Sequence, residues 1–94
     1  MEFPASLQGI LWSKNFKKLN LQKDKIYIIH QVLSVGSLKE IQWLFKTFTK
    51  SEIAGVFKNF PQKIYTRSKF NFVKNFILDI NERLDEKKYF KSPS

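Results

Sequence analysis

Between Ile41 and Leu78 the chain carries seven basic residues, Lys46, Lys50, Lys58, Lys63, Arg67, Lys69 and Lys74, and one acid, Glu52. Phenylalanine, tyrosine and tryptophan are interleaved with them. The chemistry open to such side chains is recognition of anions. Ammonium and guanidinium groups neutralise phosphates, and aromatic rings stack on bases or cations. The whole chain of 94 residues has a formal net charge of +9, which a polyanion would match. The expected contact residues are Lys46, Lys50, Ser51, Lys58, Lys63, Arg67, Lys69 and Lys74, with Lys39 and Trp43 as interface residues. Nucleic acid, DNA foremost, is the first expected partner, and an acidic protein is the alternative.

Groups suited to covalent or acid–base chemistry are few. There is no cysteine, which excludes a disulfide, a thiolate metal site and a cysteine nucleophile. His30 is the one histidine and falls on an apolar stripe, where a packed, hydrogen-bonded core residue is the expected role. It has no second His or Cys with which to share a metal. Asp79, Glu82, Asp85 and Glu86 cluster beside Arg83, Lys87 and Lys88, and read as ordinary surface pairing at helical spacing. No Ser-His-Asp order and no Gly-rich phosphate loop is present. No enzyme activity, cofactor or metal is expected.

The elements that must position the basic side chains read as helices. Hydrophobic residues make up 43% of the chain and ten residues are Phe, enough for one core in one domain over residues 1–94. A short first helix from Pro4 to Trp12 and a polar connection to about residue 22 come first. A second helix from Lys23 to Val35 has Ile26, Ile29, His30 and Leu33 on one face, with Gly36 as a left-handed cap. Ser37-x-x-Glu40 is a capping box that opens a helix with Leu38, Ile41, Leu44, Phe45 and Phe48 inward. Thr49-x-x-Glu52 opens the next, with Ile53, Val56, Phe57 and Phe60 inward, and Pro61 closes it. Thr66 or Ser68 caps the last helix, which is expected to reach Glu86 with Phe70, Val73, Ile77, Ile80 and Leu84 inward. Residues 87–94 read as a flexible tail. The expected fold is all-α, a compact bundle of about five helices.

No apolar run approaches the ~20 residues of a membrane span, and Met1-Glu2-Phe3-Pro4 lacks the basic region of a signal peptide. A cytoplasmic protein without a membrane partner is the expectation.

Two features admit two readings each. The tight turn around Phe48–Ser51 joins two short helices as in a helix-turn-helix unit, which would present Lys50, Ser51, Ala54, Gly55 and Lys58 to a DNA groove. The same turn occurs in any small bundle. Trp43 falls opposite the Ile41–Leu44–Phe48 stripe, between Lys39 and Lys46. It is either a contact residue or a ring covered by another segment.

Several runs form a distinctive order: Phe3-Pro4, Leu11-Trp12, Phe16-Lys17-Lys18-Leu19-Asn20-Leu21 and Ile28-Ile29-His30-Gln31-Val32-Leu33. Gly36-Ser37-Leu38, Ile41-Gln42-Trp43-Leu44-Phe45 and Phe70-Asn71-Phe72 follow. This order resembles a small, functionally uncharacterised bacterial family of helical proteins, often encoded beside AbiE-type nucleotidyltransferase toxins. The resemblance implies an antitoxin-like or regulatory companion. Where family members carry an Arg-Arg pair and a Trp, this chain has Gln62-Lys63 and Phe72-Val73.

Overall fold

A computed structural model of the chain describes residues 20–91. Four α-helices follow one another: α1 (Lys25–Val35), α2 (Leu38–Thr47), α3 (Lys50–Asn59) and α4 (Arg67–Phe72). Helix α4 runs on into a π-helical turn, Val73–Ile77, and a 3-10 turn covers Glu86–Lys88. Among the described residues there is no strand, only an isolated parallel bridge between Tyr65 and Phe90. The helix expected over Pro4–Trp12 lies outside the described residues.

Helices α2, α3 and α4 start where hydroxyl residues stand, at Ser37, Thr49 and Thr66. The backbone N–H of Ser37 donates to Glu40 Oε1 at 2.8 Å. At α3 the Glu52 N–H donates to Thr49 Oγ1 at 3.1 Å, and the Thr49 N–H donates to Glu52 Oε1 at 3.0 Å. Each box satisfies backbone donors that a helix leaves orphaned in its first turn. Thr66, not Ser68, caps α4, accepting the Lys69 N–H at 3.1 Å.

Helix α1 is the centre. Ile28, Ile29, His30, Val32 and Leu33 are all fully buried, and α2 and α3 both pack on it. Leu44, Phe57 and Val73 bring the other helices into the same core.

Three expectations at single residues are corrected first. Gly36 is extended, with φ −73° and ψ 151°, and is not left-handed. Glycine is required there by proximity, because a Cβ would lie 2.5 Å from the Val32 carbonyl oxygen. Leu38 is 62% exposed because it stands at the rim of the first turn of α2. Phe60 is 53% exposed because α3 ends one residue earlier, at Asn59, and Phe60 is its C-cap.

The largest correction is the last helix, which stops at Ile77. Its π turn closes by the Leu78 N–H donating to the Val73 carbonyl at 2.8 Å, five residues back. The extra residue per turn shifts the inward face, so Leu78 is buried while Ile77 is half-buried. Asp79 then adopts a left-handed φ of 51°, a conformation that Asp tolerates better than most residues. The Ile80 N–H returns to the Lys74 carbonyl at 2.8 Å and completes the stop. Ile80 is buried and Leu84 half-buried, but both reach the core from an irregular segment.

Residues 87–91 fall in the stretch read as a tail, yet the structure builds on them. Tyr89 is only 2% exposed. Its carbonyl accepts the Tyr65 N–H at 2.9 Å, and the Lys91 N–H donates to the Tyr65 carbonyl at 3.0 Å. The rings of Phe57, Tyr65, Phe70 and Tyr89 form one aromatic cluster, with the closest centroids, Phe57 and Tyr89, 4.8 Å apart. The Tyr89 hydroxyl donates to the carbonyl of Phe57 in the last turn of α3.

Tyr89→Phe therefore strands a buried carbonyl. The expected loss of stability is about 1–3 kcal/mol by urea denaturation. Phe57→Ala, which also empties the centre of the cluster, should cost about 3–5 kcal/mol. A loss below ~0.5 kcal/mol for Tyr89→Phe, the size of an ordinary surface change, would contradict this packing.

Candidate nucleic-acid interface

The basic side chains sort into two groups by what they touch. Lys39, Lys46, Lys50 and Lys63 are exposed and have no ion-pair partner among the described residues. Ser51 is exposed beside Lys50 in the first turn of α3. Lys58 is exposed and pairs with Glu82 at 2.9 Å. A surface pair of this kind is worth about 0–1 kcal/mol, so it leaves Lys58 able to exchange its partner for a phosphate.

Arg67, Lys69 and Lys74 belong to the second group and serve the fold. The Arg67 guanidinium stands 5.3 Å from the centroid of the Phe90 ring. Lys69 Nζ donates to the Gly36 carbonyl at 3.2 Å, tying α4 to the junction of α1 and α2. Lys74 Nζ donates to the Ile80 carbonyl at 3.1 Å, across the π-turn stop. Asn71 and Lys74 line a cavity of about 470 Å³ together with Asn81, Arg83, Asp85 and Lys87.

Glu52 was the one acid in the basic stretch, and it is turned to structural work. Its carboxylate caps α3 and pairs with Lys25 at 3.1 Å. The Thr49 N–H, followed by Lys25, holds this carboxyl below its usual range. The acids of the last segment are not arranged at helical spacing, because the chain is no longer helical there. Glu82 pairs with Lys58, and Asp85 accepts the Lys87 N–H at 3.1 Å.

Trp43 is half-buried and packs against the core, so its ring is only partly presented between Lys39 and Lys46. The more exposed ring is one the sequence reading left aside. Phe76, in the π turn, is 79% exposed and lies 6.0 Å from the ring of Phe72. It borders an open groove of about 620 Å³, lined also by Ile41, Gln42, Phe45, Lys46 and Ile77. The sequence signal was Phe72-x-x-x-Phe76, an i, i+4 aromatic pair off the apolar stripe.

His30 is fully buried, and both ring nitrogens are engaged. Nε2 lies 2.6 Å from the Phe60 carbonyl and Nδ1 lies 2.8 Å from the Tyr65 hydroxyl. A carbonyl only accepts, so Nε2 carries the proton and Nδ1 accepts from Tyr65. No carboxylate among the described residues hydrogen-bonds this ring. Burial also raises the phenols of Tyr65 and Tyr89, the latter to about 12, so both remain donors at ordinary pH. Among the described residues no group of three His, Cys, Asp or Glu side chains is placed to hold a metal ion. No helix among them is long and apolar enough to cross a membrane.

The model of a family of unknown function (DUF6922) matches residues 7–57, more than half of the chain. The chain belongs to that family. No curated protein and no solved structure matches it. Of the described residues, the matched part of this DUF6922 member holds α1, α2 and most of α3, with both capping boxes and His30. The Phe72–Phe76 pair and the aromatic residues Tyr65 and Tyr89 lie beyond the matched residues.

Burial lowers the pKa of His30 below its ordinary value of 6.5, outweighing the carbonyl at Nε2. The folded state therefore binds fewer protons than the unfolded state just below pH 6.5. Stability should be full above that pH and fall as the pH drops from about 6.5 towards the depressed folded value. Urea midpoints between about pH 7.5 and 5.5 test this, since His30 is the one histidine. Stability that is flat, or that rises towards acid, would contradict a buried neutral His30.

Proposed function

We propose that this protein binds nucleic acid through the exposed lysines of α2, α3 and the α3–α4 connection, without catalysing a reaction. One observation carries the reading. The acid of the basic stretch is committed to a helix cap and to Lys25, while Lys39, Lys46, Lys50 and Lys63 stand in solvent with no ion-pair partner among the described residues. Charge left uncompensated on one run of helices favours a polyanion.

Gly55 supports the same surface. It lies inside α3 with an ordinary negative φ, and a Cβ there would meet no described atom within 4 Å. Glycine in a helix interior costs roughly 0.5–1 kcal/mol relative to alanine, and the packing of this fold does not require it. A small residue beside Ser51 and Lys58 lets a nucleic-acid backbone approach α3 closely. In this reading α2, the turn at Phe48–Thr49 and α3 act as a helix-turn-helix-like unit, with Lys50 and Ser51 leading. The sequence resemblance adds an antitoxin-like or regulatory role, and the helix-turn-helix-like unit favours DNA as the target.

Binding should fall steeply with salt. About 4–5 phosphate contacts give a slope of log K against log salt near −4 on duplex DNA. Changing Lys46 and Lys50 to Glu should weaken binding far more than the same change at Lys87 and Lys88. Gly55→Ala should raise stability by about 0.4–1 kcal/mol while weakening binding. Fluorescence anisotropy with labelled genomic fragments at several salt concentrations reads all three. Equal losses at the two lysine pairs would reduce the effect to unspecific attraction. No binding at low salt would sink the proposal and favour an acidic protein as partner.

A further inference from the structure

We infer that the Phe72–Phe76 ledge is a stacking platform for an unpaired base of the bound nucleic acid; this rests on the nucleic-acid reading above. The helix face that carries the ledge is Lys69, Phe72, Phe76. The π turn holds Phe76 outward at its end, with 79% of its surface in solvent. Phe72 is 39% exposed, and the two rings are tilted by 31° with centroids 6.0 Å apart. Two neighbouring exposed phenylalanines on one short segment form an apolar patch that folding alone does not explain. π turns are frequent at functional sites, because they re-aim side chains within a helix.

The surroundings of the ledge select the occupant. Lys69 Nζ stands 5.9 Å from the Phe72 centroid, held in place by its bond to the Gly36 carbonyl. Phe76 shares its groove with Lys46 and Gln42 of α2. A cation thus stands near each ring, and an amide near Phe76. A greasy protein segment would match the rings and leave Lys46 unmatched. A polyanion with flat apolar rings matches both. A strand of nucleic acid presents a phosphate to Lys46 and a base face to Phe76, while Lys69, tied to Gly36, adds positive charge beside Phe72. The Gln42 amide has the donor and acceptor needed for a base edge. Duplex bases are already stacked inside the helix and cannot reach the ledge, so the platform selects unpaired nucleotides, in a single strand or a loop.

The test compares a 20-nucleotide oligothymidylate with a 20-base-pair duplex as probes, using the whole chain and its Phe76→Ala variant. Phe76 is exposed, so the variant should melt at nearly the wild-type temperature. The inference expects Phe76→Ala to weaken single-strand binding by about 5–150-fold, the range for losing one stacked base, and to leave duplex binding unchanged. Phe76→Trp should retain single-strand affinity, and the oligonucleotide should quench its emission more than that of the wild type, which already carries Trp12 and Trp43. Unchanged single-strand binding in Phe76→Ala would overturn the platform while leaving nucleic-acid binding intact. No binding of either probe at low salt would bring down both readings. If Phe76→Ala turned a dimer into a monomer in sedimentation without altering single-strand affinity, the ledge would be a contact between copies, and the inference would fail.

Discussion

The fold depends on how the C-terminal end of α3 is closed. A helix leaves its last carbonyls without partners, and here two of them, at Phe57 and Phe60, are met by side chains of the core. His30 of α1 donates to the Phe60 carbonyl, and Tyr89 near the end of the described chain donates to the Phe57 carbonyl. Tyr65 completes the arrangement by donating to His30 Nδ1. No described side-chain polar atom is left buried without a partner. One buried imidazole and two phenols therefore join α1, α3, the α3–α4 connection and the segment after α4. Because buried polar groups are costly when unpaired, these four segments hold one another in a single arrangement.

That closure sets the geometry of the surface. With the inner end of α3 fixed, its first turn, bearing Lys50 and Ser51, points away from the core beside the last turn of α2 and Lys46. Lys69 bonds the Gly36 carbonyl and brings α4 against the α1–α2 junction. Phe76 and Ile77 consequently lie alongside α2, and the groove there holds Lys46 and Gln42. The positive charge of the chain is thus divided. Some cations act as internal ties, as at Lys25, Lys69 and Lys74, and others remain in solvent.

Local signals in the sequence were legible where one side chain decides one backbone feature. Ser37, Thr49 and Thr66 mark helix starts because a hydroxyl can satisfy a nearby N–H. Leu44, Phe57 and Val73 were legible as core because a 3.6-residue period admits one inward face. The last helix was misread for a related reason. Ile77, Ile80 and Leu84 fit that period, but one residue added by the π turn breaks it, and no residue type announces a π turn. Tyr65 and Tyr89 were not legible as core, because their burial comes from a pairing between segments more than twenty residues apart. For the site, residue type showed that the surface is basic. It could not show that Arg67, Lys69 and Lys74 are held by Phe90, Gly36 and Ile80, since that follows from tertiary contacts.

The central claim is that a fixed frame presents one exposed basic and aromatic face to nucleic acid. A residue-by-residue amide shift map, recorded while an oligonucleotide is titrated into the whole chain, tests it most directly. The account predicts progressive shifts at Gln42–Lys46, Lys50–Gly55 and Phe72–Phe76, with the amides of Ile28–Leu33, Tyr65 and Tyr89 unmoved. Shifts confined to Asn81–Lys91, or shifts spread through the core of α1, would contradict it.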